Sequence, residues 1–165
     1  MLQLPTVLAN ELEAAKADDW EYLSVLLDAY AQQVQPEVPF NSLASFAEAP
    51  CILILYNDLC GQVNNGGFIQ LIQNGCGPNI FDNPFFEDLA CWGATQLAAL
   101  TAQARDIYHA NRHYLERERT LPEFSQLYSE FTQFSSIEDT FYEVEASQTA
   151  LVRAYVAGHL GQFAR

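Results

Sequence analysis

At 165 residues, half of them apolar and 13% aromatic, the chain is long and apolar enough for one domain with a real core, which excludes a disordered polymer. It carries 21 acidic residues against 7 basic ones, a formal net charge of -14, although only 17% of its residues are charged. Such a surface repels nucleic acid and anionic membranes and attracts basic partners.

The predicted elements are all helical. Asp18 and Asp19 are placed to cap a helix whose apolar residues Trp20, Leu23, Leu27, Tyr30 and Val34 recur at three- and four-residue steps, with Glu21, Asp28 and Gln32 opposite. Pro36 and Pro39 end it, and Asn41 caps a short helix through Glu48. Pro50 suits the first turn of the next helix, residue 51 to about Val63. The Asn64-Asn65-Gly66-Gly67 run interrupts that helix, residues 68–73 resume it, and Asn74-Gly75 stops it.

Asn83-Pro84 opens a helix to about Leu100, with Leu89, Trp92, Leu97 and Leu100 inward. Thr101 is placed to cap an arginine-bearing helix to about Arg119. Leu121-Pro122 breaks it, and a helix from Glu123 to about Phe134 follows. Ser135-Ser136 cap the last one, with Glu138 or Asp139 completing a capping box. Leu151, Val152, Tyr155, Val156, Leu160 and Phe163 line its apolar face. No alternating β-branched stretch competes, so the expectation is an all-α fold of about seven to nine helices in one compact domain over residues 1–165, with no significant sheet.

The start of the chain has no basic segment followed by a long apolar run, so no signal peptide is read and a cytoplasmic protein is expected. The longest purely apolar run, residues 51–56, is far too short to span a bilayer. Cys51, Cys60, Cys76 and Cys91 form no CxxC pair and read as buried reduced thiols.

The glycine-rich phosphate loops, the GxSxG elbow, the HExxH zinc motif and the EF-hand loop are all absent. No cofactor, no metal and no catalytic residue is therefore expected. His109 and His113, with Glu116 near them, have zinc-compatible spacing, but Arg105 and Arg112 oppose a cation, and local ion pairs are the plainer reading. Asn64, Asn65, Gln70, Gln73 and Asn74 form an uncharged amide cluster around two glycines. It reads either as a helix–turn–helix joint whose amides satisfy freed backbone groups or as a small-ligand site.

The run Asn65-Gly66-Gly67-Phe68-x-Gln70 followed by Asn74-x-x-Gly77, with the downstream Gly93-Ala94 and Asp139-x-Phe141-Tyr142 stretches, resembles the signature of a bacterial domain family formerly of unknown function. That family includes a small acidic DNA-mimic protein. The likeness covers roughly residues 50–165. Related sequences often carry an acid where Gln62 stands and aromatics where Leu71 and Ile72 stand, a departure that bears on a shared small-molecule site more than on the fold. The resemblance implies an all-helical homodimer without catalysis that binds a helix-turn-helix transcription regulator in place of its operator DNA. It also assigns Asn65, Gly66, Gly67, Phe68, Gln70 and Asn74 to a structural signature.

The charge is unevenly distributed. Residues 1–104 carry 12 acids and one base, residues 105–119 three acids and four arginines, and residues 120–165 six acids and two bases. Spread evenly over roughly 8,000 Å² of surface, the carboxylates have about 400 Å² each, several-fold more dilute than duplex phosphates. Mimicry therefore needs clustering. Glu11, Glu13, Asp18, Asp19, Glu21 and Asp28 form one candidate group for partner contact, and Glu138, Asp139, Glu143 and Glu145 a second. Joined in space or across a dimer, they could follow a phosphate track. The alternative is that each is a solvated helix face or a cap. The same electrostatics would serve an inhibitor or immunity protein for a basic toxin or nuclease.

Overall fold

The computed structural model describes residues 2–33, 43 and 45–165. Among them lie eight α-helices, α1 Ala9–Ala14, α2 Asp19–Gln33, α3 Glu48–Gln73, α4 Gly77–Phe81, α5 Phe85–Cys91, α6 Thr95–Leu115, α7 Leu121–Glu130 and α8 Gln133–Gly158. A 3-10 turn, Leu160–Gln162, follows. No strand occurs among the described residues, so the fold is all-α. The readings at Val34, Pro36, Pro39 and Asn41 lie outside the described residues.

Contacts divide the chain into two compact units, one formed by Met1–Ile54 with Thr149–Arg165 and the other by Leu55–Gln148. In the first, α2 turns Tyr22, Leu23, Leu26 and Tyr30 inward, so Leu26 takes the core place expected of Leu27. The Tyr30 ring meets Phe46 edge-on at 5.7 Å, and its hydroxyl donates to the Phe163 carbonyl at 2.9 Å. The Arg165 amide donates to Pro5 O, and the Val7 amide to Arg165 O.

The second unit centres on Phe68, whose ring lies 5.8 Å from Phe134, 6.4 Å from Phe81 and 6.5 Å from Phe141. All four side chains are buried, a cluster whose apolar area supplies several kcal/mol per ring. Gly77 opens α4 against Tyr108, where a Cβ would stand 2.9 Å from the ring.

Several boundaries differ from expectation. Glu48 opens α3 instead of closing a short helix, because the chain already enters helical geometry ahead of Pro50, which sits in the first turn. The helix expected from Asn83-Pro84 to Leu100 is broken at Gly93, where φ is +92°. There the Gly93 amide bonds Ala90 O and the Ala94 amide bonds Leu89 O, a Schellman end. Gly75 ends α3 identically, its amide on Ile72 O and the Cys76 amide on Leu71 O.

Thr101 is consequently buried inside α6 and is no cap; its hydroxyl bonds Leu97 O one turn back. Thr120 caps α7 instead, in a capping box with Glu123, so α7 starts at Leu121 and ends at Glu130. Of the four thiols only Cys60 is buried; Cys91 is exposed, and Cys51 and Cys76 are intermediate. No helix of the described residues is long and apolar enough to cross a membrane.

Candidate functional site

The signature run folds as a bend inside α3. Asn64 and Asn65 are still helical, and the break falls on Gly66 and Gly67. Gly67 has φ +71° and ψ -173°, a region that only glycine occupies at low cost. Both glycines also lack room for a side chain: a Cβ on Gly66 would strike the Gln70 side chain, and one on Gly67 the Glu138 carboxylate.

A bend frees backbone groups that must find other partners. Here three side chains from α7 and α8 supply them. Glu138 accepts the Phe68 amide at 2.8 Å, Tyr128 donates to Gly66 O at 2.7 Å, and Tyr142 donates to Val63 O at 3.0 Å. Burial raises the Glu138 pKa, the Phe68 amide opposes that shift, and the Asp139 charge adds to it.

The amides serve the same joint. Gln62 Oε1 accepts Asn74 at 2.8 Å and Gln70 at 3.1 Å, Asn64 donates to Glu145 at 2.8 Å, and Gln73 donates to Leu115 O, at the end of α6, and to Arg117 O just past it. Asn65 is exposed. Among the described residues the amides flank the bend and bond mostly to other side chains, whereas the backbone groups that the bend frees go to Glu138, Tyr128 and Tyr142. Asp58, half-buried one turn before Gln62, is the acid that sequence reasoning did not single out. Burial pushes its pKa up to about 6.

The histidine face of α6 makes local ion pairs. His109 lies 3.1 Å from Asp82, and Arg112 bridges Asp82 at 2.8 Å and Glu116 at 3.2 Å. Glu116 also accepts the Tyr108 hydroxyl. No group of three metal-ligating side chains stands together among the described residues.

The ten acids singled out for partner contact separate by unit and by role. Glu11, Glu13, Asp18, Asp19, Glu21 and Asp28 lie in the first unit; Glu138, Asp139, Glu143 and Glu145 lie in the second. Glu11 accepts the Leu8 amide, Asp18 caps α2 through the Glu21 amide, Glu13 pairs with Lys16, and Asp19 lies 3.9 Å from Arg153. Glu138 does not complete a capping box, because α8 starts earlier, at Gln133, and its carboxylate is turned to the Phe68 amide. Glu145 is held by Asn64. That leaves Glu21, Asp28, Asp139 and Glu143 exposed, with neither hydrogen bond nor ion pair from their carboxylates among the described residues.

Over the chain, no described carboxylate is buried, and all but Asp19, Asp58, Asp88, Glu138 and Glu145 are exposed. The bases are occupied. Lys16, Arg112, Arg117 and Arg153 pair with carboxylates, Arg105 lies over the Phe86 ring, Arg119 donates to Tyr114 O, and Arg165 approaches Gln3.

Residues 44–159 match the model of the DMP19-like protein family, and the chain belongs to that family. It is similar to the DNA mimic protein DMP19 of Neisseria meningitidis serogroup B, at 25% identity over 146 residues covering 86% of each chain.

Proposed function

We propose that this chain is a DNA mimic. It is a non-catalytic bacterial protein of the cytoplasm that offers carboxylates to the lysines and arginines of a helix-turn-helix transcription regulator, as a homodimer, and so keeps the regulator from its operator. The observation that carries this reading is the uncompensated surface charge: the carboxylates stand accessible while the chain's own bases are occupied. Family membership supports the same role.

The spacing of the α8 acids supports a dimer. Four carboxylates between Glu138 and Glu145 fall within eight helical residues, about 12 Å of axis, or one per ~3 Å, close to the ~3.4 Å per phosphate of a single DNA strand. With Glu138 and Glu145 turned to α3, Asp139 and Glu143 remain, about 6 Å apart along the axis. One α8 thus reaches roughly half the linear charge density of one strand, and a second copy supplies the rest.

Capture from native lysate at low salt tests the proposal. A helix-turn-helix regulator should be retained, should be displaced by its operator duplex, and should elute as salt rises. Neutralising Asp139 and Glu143 together removes two contacts from each copy and should lower the salt slope of the dimer by about four. Recovery of a basic nuclease would point to an inhibitor, and recovery of no basic DNA-binding protein would count against both.

A further inference from the structure

Three tyrosines of the second unit are exposed, Tyr114 at 43%, Tyr128 at 37% and Tyr142 at 47%. Their surroundings differ. Arg119 lies 4.4 Å and Arg117 5.7 Å from the Tyr114 ring centre. The unit's other two arginines also lie over rings, Arg105 over Phe86 at 4.3 Å and Arg112 over Tyr108 at 5.3 Å. Tyr128 and Tyr142 have no arginine or lysine over them among the described residues. Acidic charges act on both, Glu138 on Tyr128 and Glu138, Asp139 and Glu145 on Tyr142.

These two rings are also fixed. Their hydroxyls grip one turn of α3, at Val63 O and Gly66 O, and Phe124 meets Tyr128 edge-on at 5.5 Å. Covering them strands no hydroxyl donor and costs little rotamer freedom. A rigid aromatic face beside carboxylates attracts a cation through the ring quadrupole and the local field together. A planar, weakly hydrated guanidinium suits that pairing better than a compact ammonium.

We infer that Tyr128 and Tyr142, with Asp139 one turn before Tyr142 on α8, form an anchor for arginine side chains of a basic partner protein. The inference rests on the mimic reading and adds a contact that a phosphate backbone cannot make. Part of the binding then persists at high salt, and arginine-rich partners are favoured over lysine-rich ones of equal charge.

Tyrosine-ring NMR signals of the unaltered protein, titrated with a short arginine peptide and with its lysine counterpart, test this. The arginine peptide should shift the Tyr128 and Tyr142 rings and bind about tenfold more tightly than the lysine peptide. Replacing both rings (Y128L/Y142L) should remove that margin, and Y128F/Y142F, which keeps the rings, should preserve it. Binding with the two rings unmoved, or equal affinity for both peptides, would overturn the anchor and leave the carboxylate reading intact. No binding of the arginine peptide would also overturn it, and the lysate capture would then decide the mimic reading separately. Ring shifts that depend on protein concentration without peptide would assign the face to a second copy and reject the anchor.

Discussion

On α1 and α2, Glu11 accepts an amide three residues away and Asp18 does the same. On α8, Glu138 and Glu145 reach partners 70 and 81 residues away. The first pair finishes the ends of its own helices, and its removal should leave packing elsewhere unchanged. The second fastens α8 to the bend in α3, so it determines where Asp139 and Glu143 are presented. Equal acidity therefore conceals two kinds of work, and only acids free of both are available to a partner.

The largest expected effect breaks the bend itself. Gly67→Ala places a Cβ in a glycine-only conformation against the Glu138 carboxylate, and should cost about 3 kcal/mol in urea unfolding. Glu138→Ala removes the acceptor for the Phe68 amide and should cost about 2 kcal/mol, whereas Glu138→Gln retains an oxygen and should cost less. A loss no larger than that of Asp139→Asn, expected within about 0.5 kcal/mol of the parent, would erase the distinction between fastening and free acids.

Asp58 sharpens the comparison from another side, as an acid that neither caps nor fastens. Its folded pKa of about 6 lies above the ordinary 3.8, so the folded state holds the proton more tightly. Stability should therefore fall as pH climbs from about 4 to about 6 and stay low above that. Asp58→Asn should gain about 1–2 kcal/mol at neutral pH, after allowance for partial solvation, and the gain should vanish near pH ~4. Apart from the free acid Asp139, the smallest effect belongs to the first unit. Asp18→Ala should cost about 1 kcal/mol in urea unfolding through loss of the α2 cap.

Much of this was legible in local pattern. The α2 cap at Asp18, the interruption at the double glycine and the stop at Gly75 each follow from residues within a turn of one another. Gly93 is hidden in the pattern, because Leu89, Trp92, Leu97 and Leu100 nearly keep helical spacing across it. The positive φ that ends α5 depends on α6 turning away there. The Ser135-Ser136 capping box was a sound local match that lost to a tertiary contact, since Glu138 is drawn to a buried amide 70 residues back. No sequence window contains both ends of that bond. The acid pattern marked which carboxylates exist, and the fold decided which are free.

The bend gives the Phe68 amide an unusual protector. In an unbroken helix its hydrogen would be shielded by a carbonyl of its own segment and exchange when that segment frays. Here the shield is a side chain of α8. Deuterium uptake at this position should follow the departure of α8 from α3 and not the melting of α3, making Phe68 a built-in reporter of whether the surface bearing Asp139 and Glu143 is in place.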